Sequence, residues 1–399
     1  MKARLSRIFH FLLLAVLIAG CQPDTKQLES ARFAIDSIQS QWIPDSRVAL
    51  FSIKASSVDG RIQLHGKATE GDAVEALLAA LTRQHIPFTD SILLLPDSNL
   101  GDRTWGLITL SVANIRYNPS QSAEMATQAL MGTPVRILQE ENGYYLIQTP
   151  DRYISWTESA GVALKSADDM ERWKTAGRLL FTGDFALIYS LPSELSDPVS
   201  DLVSGGILEA DLSLKPSSGF LPVVLPDGRK GYLRGNQCRD LKDWSGRASV
   251  SGGQIVSTAR QYLGRPYLWG GTSPKAFDCS GFTKTVYFLN GYILSRDASQ
   301  QVNEGVLINR EFRPEELQPG DLLFFGRKAT PEKPERATHV GLFLDDSRFI
   351  HCSGLVKINS LDPASADFRR YYIDNLLQIK RLLSDTDQPQ KISDHPWYF

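Results

Sequence analysis

The chain has 399 residues, 42% of them hydrophobic, 10% aromatic and 22% charged, with a formal net charge of −2. That profile excludes a disordered, collagen-like or coiled-coil protein, and the length suits two to three domains of roughly 150 residues each. No basic surplus exists to neutralise a phosphate backbone, so nucleic acid is not an expected partner. Four cysteines are too few for a disulfide scaffold.

Lys2, Arg4 and Arg7 form a cationic start, followed by an apolar stretch from Ile8 to Ala19. That stretch is shorter than the roughly 20 residues needed to span a bilayer and has the shape of an export signal. It ends in Ile18-Ala19-Gly20-Cys21, which resembles the bacterial lipoprotein box, where the cysteine is diacylated and becomes the new amino terminus. The expectation is a signal peptide over residues 1–20, lipidation at Cys21, and an exported body anchored to the cell envelope at the periplasmic face or outer membrane. Gln22, rather than Asp, follows the cysteine, so nothing argues for retention at the inner membrane. The alternative is an ordinary signal peptide with an incidental cysteine. Cys238, Cys279 and Cys352 remain, an odd set that leaves at least one thiol unpaired.

Residues 21–100 read as a small α+β domain of order αββαβ. A polar helix covers 25–45, alternating strands cover 48–55 and 61–66 around an Asp59-Gly60 turn, an amphipathic helix covers 72–84, and a short strand covers 92–95. No activity is assigned to it. Two stretches, 105–165 and 175–245, form a weak repeat with the same interval from Pro119 to Gly132 as from Pro192 to Gly205. Short β-rich runs between turn residues suggest two small barrels. The first resembles a bacterial SH3-type domain and the second a divergent one; passive wall binding or spacing is the plainer role for both. In 250–383, Ser251 can cap a helix running to Leu263, and a second helix begins at Cys279 with Phe282, Val286 and Leu289 at helical spacing. Strands follow at 321–325, 339–344 and 348–352, and 384–399 reads as a loose polar tail ending in the oddly apolar Trp397-Tyr398-Phe399.

Cys279 stands where a loop becomes a helix. The unpaired N–H groups of a helix start favour thiolate and can stabilise an oxyanion, so a lowered thiol pKa is expected. An isolated cysteine would more readily be a small core residue. Here His339 lies downstream on a strand, and a tight turn at 344–347 places His351 opposite it across a hairpin. Nucleophile, base and a third group orienting the base form a familiar catalytic set. His65, His85 and His395 read as structural. A zinc site made of Cys279, His339 and His351 lacks a carboxylate or second cysteine at ligand spacing, so no metal or cofactor is expected.

Five ordered motifs resemble the NlpC-type cell-wall cysteine peptidases: Pro266-Tyr267-Leu268-Trp269-Gly270-Gly271, Phe277-Asp278-Cys279-Ser280-Gly281-Phe282, Arg296-Asp297-Ala298-Ser299-Gln300-Gln301, Gln318-Pro319-Gly320-Asp321-Leu322, and His339-Val340-Gly341-Leu342. The resemblance implies an α+β fold, a papain-like core with reordered strands. It makes Cys279 the nucleophile, His339 the general base and then acid, His351 the orienting residue and Tyr267 a contributor to the oxyanion hole. Ser122-Ala123-Glu124 and Tyr153-Ile154-Ser155-Trp156 resemble the SH3-type domain of the γ-D-glutamyl-L-diamino-acid dipeptidyl-peptidases, whose barrel closes one end of the groove. The usual Asp-Gly-Tyr tip reads Asp151-Arg152-Tyr153 here.

The resemblance implies substrate contacts from Glu124, Tyr153, Trp269, Asp278, Ser280 and Ser299, with Asp278 equally suited to capping the helix. The expected substrate is a peptidoglycan-derived peptide with free N-terminal L-alanine, cut at the γ-D-glutamyl–diamino-acid bond by a monomer. The alternatives are an endopeptidase on intact stems, a wall-binding lipoprotein with a dead peptidase domain, and an acyltransferase.

Overall fold

The structure, a computed structural model, describes residues 25–247, 250–384 and 386–399, so the expected signal peptide and Cys21 lie outside the described residues. Two compact units divide the chain. Among the described residues, one contains 25–44 and Phe51–Leu94, and the other contains Asp45–Leu50 and Leu95–Phe399. In the first unit, helix Thr25–Trp42, strands Lys54–Val58 and Arg61–Ala68, helix Gly71–Arg83 and strand Phe88–Leu94 follow the order αββαβ. Asp59 and Gly60, at φ of 49° and 75°, make the primed turn that suits a twisted hairpin. Helix Gly71–Arg83 buries Ala73, Val74, Leu77 and Leu81 and serves as the crossover that makes the last two strands parallel. The first strand starts at Lys54, later than its alternation suggests, because residues 45–50 belong to the other unit.

In the second unit, seven strands run from Trp105–Ile108 to Val162–Lys165 and seven more from Arg178–Phe181 to Cys238–Asp240. Both sets share one order across the sheet: seventh, first, fourth, fifth, sixth, second, third. The weak repeat is therefore a repeat of topology. Its glycines mark the junction between the barrels. Gly132 has a φ of 77°, and a Cβ there would lie 2.1 Å from the Ile207 carbonyl oxygen. The Ile207 N–H donates to the Met131 carbonyl at 2.9 Å.

The remainder is a six-stranded antiparallel sheet. Its order is Val306–Asn309, Leu376–Arg381, Leu322–Arg327, Arg336–Phe343, Arg348–Ser353, Leu355–Ser360. Strand Leu322–Arg327 is covered on both faces, as its unbroken apolar run requires. Leu322 and Phe324 join Ile255, Phe282, Val286 and Val340 beneath the helices, while Leu323 and Phe325 join Phe349, Tyr372 and Ile379 on the other side. Each such fully buried side chain contributes roughly 1.5–3 kcal/mol. Helix Gly252–Arg260 starts with a capping box between Ser251 and Gln254.

The tail is not loose, which corrects the expectation from its polar composition. Gln390–Lys391 pairs with Tyr292–Ile293, and Ile392 and Tyr398 enter a core with Trp173, Leu180 and Trp244. Arg178 Nη1 donates to the Tyr398 carbonyl at 2.6 Å, and His395 Nε2 lies 3.1 Å from the Pro150 carbonyl. The apolar terminus is what holds the polar stretch down.

Candidate active site

Helix Cys279–Phe288 begins with Asp278 as its N-cap; one carboxylate oxygen accepts from the Gly281 N–H at 2.7 Å. Gly281 allows loop 265–277 to lie against the helix, since a Cβ there would stand 1.9 Å from the Gly271 carbonyl oxygen. Asp278 also accepts from the Gly270 N–H at 3.0 Å and is bridged by Arg296, Nη2 at 2.5 Å and Nη1 at 3.2 Å. Arg296 is 1% exposed, so this is a buried, hydrogen-bonded ion pair. The Ser280 hydroxyl is enclosed with it, 3.1 Å from Arg296 Nη1. Asp278 and Ser280 were expected to touch substrate. Their polar atoms are hydrogen-bonded within the protein, and the cap, one of the two compatible roles foreseen for Asp278, is present.

Burial pushes the Cys279 thiol up to about 12, and the neighbouring Asp278 carboxylate adds to the rise against the Val340 and Ser280 N–H groups and Arg296. The expected low thiol pKa is thus reversed. The helix start that should favour thiolate is partly consumed by an acidic cap, and the sulfur is shut away from water.

His339 Nε2 lies 2.8 Å from His351 Nδ1, and His351 Nε2 lies 2.9 Å from Asn359 Oδ1. Asn359 Nδ2 donates to the Asp367 carbonyl at 2.8 Å, which aims Oδ1 at the histidine. An amide oxygen only accepts, so His351 carries its proton on Nε2 and receives on Nδ1. His339 must then donate through Nε2, which leaves its Nδ1 lone pair free. Burial holds both histidines well below the usual range, so both are neutral at pH 7. The Cys279 sulfur sits against the Val340 N–H, one residue beyond His339.

The hairpin register differs from expectation. Leu342 pairs with Ile350 and Phe343 with Phe349, so the two histidines are diagonal rather than directly opposite. The cause is the turn, where Asp346 and Ser347 are both left-handed, at φ of 40° and 66°. Gly341 makes the diagonal contact possible. A Cβ there would lie 2.6 Å from the Phe349 ring and 3.2 Å from His351 Cβ. Cys352 faces the opposite side of the strand, its thiol donating to the Phe277 carbonyl at 3.2 Å.

At one end of this site stands the first barrel. Trp269 is 60% exposed and donates from its indole to Glu124 Oε1 at 2.8 Å. Gly270, at φ 78°, passes so close that a Cβ would lie 2.7 Å from the Met125 carbonyl oxygen. Thr272 and Gln128 exchange three hydrogen bonds, and Asp151 pairs with Lys284 of the cysteine helix at 2.6 Å. Arg152 takes the departed glycine's place in the Asp-Arg-Tyr tip at a left-handed φ of 67°. The buried Tyr153 hydroxyl lies 3.3 Å from that of Tyr117 and 3.5 Å from Asp297 Oδ2. Ser299 and Asp297 both receive Arg47 Nη1, at 2.9 and 2.7 Å. Tyr267 lies near Cys279, its hydroxyl pKa pushed up to about 12 by burial and then by the cysteine. On the other side of His339 a cleft is lined by Thr338, Ser353, Lys357, Asn359 and Asp367. Asn359, Asp297, Arg296, Asp45 and Arg47 escaped the sequence reading. Only Arg296 and Asp297 stood inside a quoted motif that could have flagged them.

Comparison with known proteins settles the family. The NlpC/P60 family matches residues 264–379, and the bacterial dipeptidyl-peptidase Sh3 domain matches residues 115–162. Dipeptidyl-peptidase 6 of Lysinibacillus sphaericus is 30% identical over 270 residues, 66% of this chain and 94% of its own length. The chain belongs to the NlpC/P60 family. The γ-D-glutamyl-L-lysine dipeptidyl-peptidase of Bacillus subtilis (strain 168) is 39% identical over 165 residues, 39% of this chain and only about half, 52%, of that relative. The crystal structure of an NlpC/P60 family protein from Bacillus cereus ATCC 10987 shares the fold, with a TM-score of 0.59 at 23% identity over 70% of this chain and all of that one.

The protein is thus a cysteine peptidase of the NlpC/P60 family with SH3-like β domains. Chemically, its site pairs a neutral thiol with a neutral imidazole.

Proposed function

We propose that the protein hydrolyses the γ-D-glutamyl–diamino-acid bond of peptidoglycan stem peptides. Cys279 attacks the γ-carbonyl while His339 Nδ1 takes its proton and passes it to the leaving amine. Water then cleaves the thioester, with His339 acting again as base. His351, held by Asn359, keeps the His339 proton on Nε2. Tyr267 and the N–H groups at the helix start face the developing oxyanion. The observation that supports this reading most is the first barrel docked beside the cysteine and histidines through Trp269–Glu124 and Tyr153–Asp297. The names of the Lysinibacillus and Bacillus relatives support it.

The first form of the substrate is the peptide with free L-alanine. The second, intact stems still attached to sugar, is favoured by a specific observation: Asp278 and Asp297 are both already paired with arginine. Anchoring of an exported chain through Cys21 is part of the same proposal. Incubation with L-Ala-γ-D-Glu-diamino-acid peptides and with intact sacculi, followed by product masses, tests it. Release of L-alanyl-D-glutamate from the peptide is expected. Cleavage at another bond, or none that depends on Cys279, overturns it.

A further inference from the structure

Residues 45–50 interrupt the first unit in sequence yet belong to the second. Within them, Asp45 grips Arg47 with both oxygens, Nε to Oδ1 at 2.8 Å and Nη2 to Oδ2 at 2.7 Å. Arg47 Nη1 then donates to Asp297 Oδ2 at 2.7 Å and Ser299 Oγ at 2.9 Å. Gln300 Nε2 donates to Asp45 at 2.8 Å, and the Ile154 N–H donates to the Arg47 carbonyl at 2.8 Å. The guanidinium is therefore held by side chains from Asp45 and the Asp297–Gln300 turn, and its backbone is tied to the barrel tip beside Tyr153.

The position bears on substrate. Asp297 follows Arg296, the buried partner of the residue preceding Cys279, and helix Ala298–Gln301 packs on the cysteine helix and the His339 strand. A carboxylate flanked by the Ser299 and Tyr153 hydroxyls is a natural receptor for an ammonium group. Left empty, it would penalise any ligand that buried it without a cation, since an unpaired buried charge costs several kcal/mol. Arg47 removes that penalty.

We propose that Arg47 is a specificity-determining residue. It acts as a built-in cation in the place of a substrate's terminal ammonium, so that the groove accepts stem peptides whose L-alanine amine is acylated. This rests on stem peptides being the substrate, and it deepens the second form of that reading. The test compares kcat/KM for L-Ala-γ-D-Glu-diamino-acid peptides with free and with acetylated amines, in wild type, Arg47→Met and Arg47→Lys. Wild type and Arg47→Lys should cut both peptides within about tenfold of each other. In Arg47→Met the preference for the free amine should rise at least tenfold, because Asp297 is exposed. An unchanged or falling ratio in Arg47→Met overturns the inference, as does a wild-type enzyme that rejects the acetylated peptide. If wild type cuts neither peptide, the proposed function fails on its own, and binding of the dipeptide L-alanyl-D-glutamate decides the role of Arg47. Dipeptide binding at least tenfold tighter to folded Arg47→Met than to wild type sustains that role, and equal or weaker binding removes it.

Discussion

His339 has one nitrogen to offer, and four groups in series decide which. The Asp367 carbonyl orients the Asn359 amide, the amide fixes the His351 tautomer, and His351 takes the Nε2 proton of His339. Replacing Asn359 with Leu removes the acceptor that holds His351. Turnover should fall on the order of 10- to 100-fold with KM little changed, and Asn359→Gln should recover part of it. Equal activity in Asn359→Leu would show that the tautomer is held some other way. At Cys279, burial and Asp278 raise the thiol rather than lower it. Its alkylation by iodoacetamide should therefore quicken with every step in pH through pH 9. A rate that levels off by neutral pH would reveal a thiolate and contradict the neutral pair.

Two elements carry this site, the cysteine helix at its first residue and the histidine strand at its middle, and each can be tested where it depends on a neighbour. The His339 strand needs Gly341 without a side chain. Gly341→Ala would press on Phe349 and His351 Cβ, cost about 1–3 kcal/mol in stability and lower activity further by displacing His351. The cysteine helix is tied to the barrel by Lys284 and Asp151, whose side chains are 19% and 4% exposed. Lys284→Met should cost about 3–5 kcal/mol by stranding Asp151, and adding Asp151→Leu should restore much of it; additive losses would mean the pair is not coupled. The helix start at Cys279 and the hairpin between the histidines were legible because caps, apolar spacing and a turn are local signals. The diagonal register was not, because it depends on two left-handed residues in the turn. Strands Val306–Asn309 and Leu355–Ser360 were also missed: they are short edge strands, defined by their ladder partners more than by alternation.

Across the whole molecule, what stayed hidden lies far apart in sequence. Arg47 meets Asp297 and Tyr398 meets Arg178 through contacts that no local pattern announces. The repeat, by contrast, was readable because both barrels keep one topology. The buried His351 and the half-buried His339 also set how the fold responds to acid. Their pKa values fall from 6.5 to about 3 and about 4, chiefly by burial, so the unfolded chain binds more protons between those limits. Their contribution is full above about pH 6.5 and is lost as pH falls, by at most about 1.4 kcal/mol per unit for each histidine. Unfolding free energy should drop more between pH 7 and pH 5 in wild type than in His351→Asn, and equal drops would contradict this. The central claim, that Cys279 takes up the γ-D-glutamyl acyl group, is tested most directly by acid-quenching the enzyme during turnover of L-Ala-γ-D-Glu-diamino-acid peptide and weighing the Cys279 fragment. The account predicts that fragment with one L-alanyl-γ-D-glutamyl group added in thioester linkage. A different acyl group, or an adduct on another residue, would contradict it.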